Sequence, residues 1–276
     1  MKKILVCTDF SSNSKAGIRF AIQLASQASC ELIFYNVNTP LAVDAWTQLD
    51  YNDPKDSKNF FPKDQLKEFI RKIYRDTGKK AGKTDYIVED RPDVDTSIIS
   101  YAQKCNADYI SISTRGGGVI DKFMGTNASS LIISSPIPLI VVPHTYRSKS
   151  LKSILYASDI ENIGAELKSV EKFATEFGAS IEAYHYDYFI EQEEVKARLN
   201  KIADKYSSDK VVFHFKKLYA EATLLSHLQD DIQKSRPSII VMFTKQNRNW
   251  FERLFLSSKT AELGFDTKTP MLVFRK

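Results

Sequence analysis

The chain alternates short apolar runs with longer amphipathic stretches along most of its length. Lys3–Thr8 is an apolar run of the kind expected of a strand buried on both faces. Ser14–Ala28 places Ala16, Ile18, Phe20, Ala21, Leu24 and Ala25 at helical spacing, with Ser11, Ser12 or Asn13 upstream as N-cap. Glu31–Val37 predicts a second strand. Lys63–Thr77 predicts a helix with Leu66, Phe69, Ile70 and Ile73 on one stripe. Asp85–Val88 predicts a short third strand, Asp93–Cys105 a helix, and Tyr109–Ser113 a fourth strand. Thr126–Ser135 then reads as a helix and Leu139–Val142 as a fifth strand.

The order then repeats. Ile4-Leu5-Val6-Cys7-Thr8-Asp9-Phe10 and Ile154-Leu155-Tyr156-Ala157-Ser158-Asp159-Ile160 share an apolar run, a small hydroxyl residue, Asp and an apolar residue. Ile137-Pro138-Leu139-Ile140-Val141-Val142 resembles Thr269-Pro270-Met271-Leu272-Val273-Phe274. In the second half, strands are expected at Ser153–Ala157, Ser180–His185, Val211–Phe215, Ser238–Phe243 and Met271–Phe274. Helices are expected near Gly164–Phe177, Gln192–Tyr206, Ala222–Lys234 and Ser258–Leu263. Two homologous units follow, 1–146 and 151–276, joined by the polar linker Arg147-Ser148-Lys149-Ser150. Alternating strands and helices predict an α/β fold: two tandem five-stranded parallel sheets with helices on both faces. Ligands in such sheets bind beyond the carboxyl ends of the strands. The halves differ most between Asn38 and Pro62, where the first carries a long connection rich in Pro and aromatic residues. A lid, a docking arm and an inert insertion all fit it.

Composition narrows the classes. The chain has 276 residues, 43% of them hydrophobic, and a formal net charge of +5. That apolar content supports packed cores, and the charge is too small to keep the chain unfolded. No apolar stretch nears the roughly 20 residues of a membrane-spanning helix. Met1–Phe10 meets Asp9 too soon for a signal-peptide core of about 7–15 residues. Cys7, Cys30 and Cys105 form no C-x-x-C pair, which points to reduced thiols and a cytoplasmic protein. The interspersed charges do not make a nucleic-acid surface.

Three features fall at the expected carboxyl ends of the first-half strands. Asp9 follows strand one and fits either a ligand-binding carboxylate or a helix N-cap. Thr114-Arg115-Gly116-Gly117-Gly118 follows strand four. Its glycines would let several N–H groups meet an anion, with Arg115 beside it, and the bland alternative is a surface turn. Gly125-Thr126-Asn127 opens the next helix, where free N–H groups favour an anion or a plain cap forms.

With these residues the chain resembles the universal stress protein family, the Usp type of the adenine nucleotide α-hydrolase-like fold. Some members bind ATP through a G-x2-G-x9-G-[S/T] pattern and the Asp after strand one, and others do not bind it. The resemblance implies an adenine nucleotide, with Mg accompanying it, at Thr8, Asp9, Val37, Ser113, Thr114, Arg115, Gly116, Gly117, Gly118, Gly125, Thr126 and Asn127. Asp9 matches the family aspartate, Val37 the apolar base contact, and Gly125-Thr126 the final G-[S/T]. The rest departs. Strict spacing puts Arg115 and Ile112 where the earlier glycines belong; a loop one residue shorter puts Gly116 and Ser113 there. Cys7 replaces a residue that is often proline. In the second half Asp159 remains, but Thr244–Arg253 has no glycine and Ser257-Ser258 replaces Gly-Ser. Lys245, Arg248 and Arg253 there suit another anion or a solvated loop, and Trp250 and Phe251 a partner or the core. The resemblance further implies pairing of the two halves through their last strands, or a homodimer.

Enzyme signatures are missing. His144, His185, His214 and His227 have no metal spacing, and neither a G-x-S-x-G elbow nor a G-x-x-x-x-G-K-[ST] loop occurs. The expectation is a non-enzymatic stress protein that senses adenine nucleotide through its first half and uses the second for assembly. The alternatives are an interaction or small-ligand scaffold that binds no nucleotide, and slow ATP hydrolysis.

Overall fold

The computed structural model describes residues 1–38, 62–114, 126–244 and 268–275. The expected helix at Ser258–Leu263, most of the Asn38–Pro62 connection and the Thr244–Arg253 loop beyond Thr244 lie outside these residues. The first half contains β1 (Lys2–Cys7), α1 (Lys15–Gln27), β2 (Cys30–Asn38), α2 (Pro62–Thr77) and β3 (Thr84–Asp90). It continues with α3 (Val94–Lys104), β4 (Tyr109–Ser113), α4 (Thr126–Ser134) and β5 (Leu139–Val142). The second half contains β6 (Ser153–Ala157), α5 (Ile163–Phe177), β7 (Ser180–Asp187), α6 (Glu193–Tyr206) and β8 (Val211–Lys217). It ends with α7 (Leu224–Ser235), β9 (Ile239–Thr244) and β10 (Met271–Arg275).

The strands form one sheet in the order β3-β2-β1-β4-β5-β10-β9-β6-β7-β8. Within each half all pairs are parallel. At the centre β5 meets β10 antiparallel, with Ile140 opposite Leu272. Parallel strands need covering on both faces, and their continuous apolar runs supply it. Ile4, Val6 and Phe34 share one core with Tyr156 and Phe173 under α1, α2, α5 and α6. Leu5 and Ile110 share the opposite core with Leu155 and Ile240, under α3, α4 and α7. Both cores therefore run across the junction of the halves.

Specific contacts reinforce that junction. The Tyr109 and Phe173 rings meet edge to face at 5.5 Å. Lys2 Nζ lies 2.9 Å from Asp108 and 3.3 Å from Glu176. The side-chain amide of Gln27, at the end of α1, donates to Leu151 O at 3.1 Å and accepts from Leu151 N at 2.8 Å. Ser148 donates to Gln23, and the Tyr146 ring packs on Phe20. The polar linker is thus fastened along α1. Among the described residues, no helix is long and apolar enough to cross a membrane.

Candidate functional site

The turn after β1 is held from three directions. Thr8 N donates to Tyr35 O at 3.0 Å, carrying the ladder one residue past the strand. The buried amide of Asn36 donates to Thr8 O at 2.8 Å. Thr8 Oγ1 accepts from Phe10 N at 3.1 Å and lies 2.8 Å from Ser14 Oγ. Phe10 is forced to φ +61°, a left-handed conformation that non-glycine residues rarely adopt. Its ring packs edge to face on Phe69.

Asp9 sits at the tip of this turn, exposed, with Oδ1 accepting from Ser11 N at 3.1 Å. It closes a local turn and does not cap α1. What burial it has raises its pKa, but hydrogen bonds from Ser11 and Ser14 outweigh this and hold the carboxyl below its ordinary range. Ser14 is the N-cap residue of α1 yet makes no side-chain cap bond, so Ser11, Ser12 and Asn13 do not fill that role as expected. The acceptor comes from β4: Ser113 Oγ accepts from Gly17 N at 2.6 Å and donates to Ser14 O at 3.1 Å. A Cβ on Gly17 would stand 2.9 Å from Ser113 Oγ and 3.2 Å from the Ile112 carbonyl carbon. Only glycine lets the helix approach this closely.

The candidate residues therefore divide. Thr8 meets Ser14 through their hydroxyls, and the Ser113 hydroxyl donates to the Ser14 carbonyl, which links the ends of β1 and β4. Thr114 is buried, with its N–H on Val142 O and its Oγ1 accepting from His144 N. Val37 is partly buried near the end of β2, level with Glu89 of β3. Thr126 and Asn127 open α4, though their side chains lie outside the described residues. Arg115, Gly116, Gly117, Gly118 and Gly125 lie wholly outside them.

The second half rebuilds the same turn with different side chains. Ser158 N donates to Tyr184 O, Ser158 Oγ accepts from Ile160 N, and Asp159 Oδ1 accepts from Glu161 N. Ile160 takes φ +59°, matching Phe10. Where Asn36 held the turn carbonyl, His185 Nδ1 lies 3.0 Å from Ser158 O. Because a carbonyl only accepts, that nitrogen carries the proton. Nε2 is buried without a hydrogen-bond partner, 3.9 Å from Asp187. Burial lowers the His185 pKa and prevails over the raising effects of the Ser158 carbonyl and Asp187. Beneath the turn, Tyr156 donates to the buried Glu166, and Ser158 donates to Tyr156. The first half has Val6 and Ala16 at the repeat-equivalent places.

Sequence reasoning missed Asn36, Ser14 and Gly17, and saw His185 only as a strand-end histidine. Aligning the two halves through their second strands, which sets Asn36 against His185, is the signal that would have found the strut. Among the described residues, no group of three His, Cys, Asp or Glu side chains could hold a metal ion.

Solved structures share this architecture. A universal stress protein from Archaeoglobus fulgidus is 14% identical, with TM-score 0.66, covering 99% of this chain and 98% of that one. A functionally unknown protein from Pseudomonas aeruginosa is 16% identical, with TM-score 0.61, covering 100% and 92%. The cytoplasmic domain of a prokaryotic cation chloride cotransporter is 9% identical, with TM-score 0.51, covering 99% and 94%. At such identities the likeness is one of fold. No curated protein matches the chain. The model of the universal stress protein family matches residues 1–143, just over half of the chain and nearly all of its first unit. That match, on the fold described above, makes this protein a member of the universal stress protein family.

Proposed function

We propose that the first half binds an adenine nucleotide and that the protein acts in stress through this binding, without catalysing a reaction. The observation that carries the reading is Asp9. It is an exposed carboxylate held below its ordinary pKa at the carboxyl end of β1. Ligands of parallel α/β sheets collect at that end. An ionised carboxylate there accepts hydrogen bonds from ribose hydroxyls, and Val37 supplies an apolar wall for the base. The segment from Arg115 to Asn127 supplies the phosphate contacts. A magnesium ion, if it comes with the nucleotide, is held chiefly by the phosphates. The second half, with Ser257-Ser258 in place of Gly-Ser, binds no nucleotide and serves assembly.

Isothermal titration with ATP, ADP and AMP tests this on the wild type, Asp9→Ala and Gly125→Trp. Wild type gives heat with at least one nucleotide. Removing a charged hydrogen-bonding partner worth about 1.5–3 kcal/mol weakens binding roughly 10- to 100-fold in Asp9→Ala. Gly125→Trp abolishes it. Absence of heat with every nucleotide would sink the proposal and favour the scaffold reading. Phosphate release above a protein-free control would instead favour hydrolysis.

A further inference from the structure

The outer edge of the second half is unlike the outer edge of the first. Among the described residues, neither β3 nor β8 has a partner strand on its outer side. Tyr188, Phe189, Val212 and Tyr219 are each half or more exposed, and all lie on or beside β7 and β8. Among the described residues, the β3 edge carries no comparably exposed large apolar side chain. The strands also differ in charge. β8 reads Val-Val-Phe-His-Phe-Lys-Lys, and β3 reads Thr-Asp-Tyr-Ile-Val-Glu-Asp. Exposed edges invite strand addition, and opposite charges across such a pair favour it.

We propose that β8 of one molecule adds antiparallel to β3 of a second copy of this chain, extending the sheet head to tail. Strand direction permits this. The halves run opposite ways because β5 and β10 are antiparallel, so β3 of a copy placed alongside β8 runs counter to it. Side-chain alternation permits it too. Tyr86 and Val88 face the core under α1 and α2, and Phe213 faces the matching core under α5 and α6. Ile87 faces the other core, and His214, level with Tyr184, does the same. In the register that sets Asp85 against Lys216, every facing pair lies on the same side of the joined sheet. Tyr86 then meets Phe215, and Val88 meets Phe213. Lys216 and Lys217 reach Asp231 and Glu191 within one molecule, with side chains still 44% and 34% exposed. Like-with-like pairing of two β3 edges would instead bring acidic residues together. The contact uses two different surfaces, so it does not close into a dimer. It does not depend on nucleotide binding.

Sedimentation velocity over a concentration series tests the proposal. In about 0.01 M salt, where screening reaches about 30 Å, wild-type mass rises with concentration; in about 1 M salt, where it reaches about 3 Å, the rise disappears. Asp85→Lys/Asp90→Lys and Lys216→Glu/Lys217→Glu each lose association, and mixing the two variants restores it. Should a double variant fail to fold, Val212→Glu keeps Asp85 and Lys216 in place, sets a like charge opposite Glu89 in this register, and lowers association at a given concentration. A constant mass of 31.4 kDa at every concentration in low salt overturns the proposal. A closed dimer that persists in Asp85→Lys/Asp90→Lys overturns it equally, placing the contact elsewhere.

Discussion

At the scale of single residues, the two strand-end turns are one design built with different chemistry. Asn36 and His185 each hold the carbonyl of the turn, but only His185 can change charge. Its pKa is lowered in the folded protein, chiefly by burial. Above the unfolded value near 6.5, both states are neutral and His185 contributes no pH dependence. As pH falls through that value the unfolded chain takes the proton first, and stability is lost until the folded pKa has also been passed. His185→Asn keeps a donor for Ser158 and removes this loss. Urea melts between about pH 8 and pH 5 therefore show wild type losing more stability than His185→Asn. Equal slopes would mean that His185 is not the responsible group. The turn residue Asp9 was legible in the sequence because a carboxylate directly after an apolar run stands out. Asn36 was not, because its role depends on a carbonyl from another strand.

At the scale of elements, most inner strands were read to within a residue at each end, whereas β7 and both outer strands, β3 and β8, were read short. Tyr109–Ser113 and Leu139–Val142 are buried on both faces, so their apolar runs mark their limits. β3 and β8 are edge strands, and their ends carry Asp85, Glu89, Asp90, Lys216 and Lys217. A strand with an open side does not need a continuous apolar run, so hydropathy underestimates it. The start of α1 was illegible for a related reason. Its acceptor, Ser113, lies 96 residues away, and Gly17 looks like an unremarkable helix glycine until β4 is placed beside it. Gly17→Ala, normally favourable in a helix, here destabilises by about 1–3 kcal/mol through overpacking. Chemical denaturation checks this, and a stabilised Gly17→Ala would show that the helix can draw back freely. The phosphate-loop residues of the candidate site rest on motif spacing alone, and that spacing is irregular between Ile112 and Gly125.

At the scale of the whole molecule, the sequence repeat was readable but the fusion of the two cores was not. Nothing local in Lys2, Gln27 or Glu176 announces that they reach across the junction. Since both cores span it, the full chain unfolds in one transition, with calorimetric and van't Hoff enthalpies equal. Two resolved transitions would contradict this. Residues 1–146 alone would leave the outer side of β5 bare and cut through both cores, and the fragment self-associates or aggregates. The antiparallel β5–β10 seam has one more consequence. Where two identical chains meet about a two-fold axis, every substitution occurs twice, so neither copy can specialise alone. A covalently joined pair escapes that restriction. Asn36 could remain an amide while its counterpart became His185, and Val6 could remain apolar while its counterpart joined Glu166 in a buried polar network. The seam gives the chain two independently variable copies of one ligand-end turn within a single sheet.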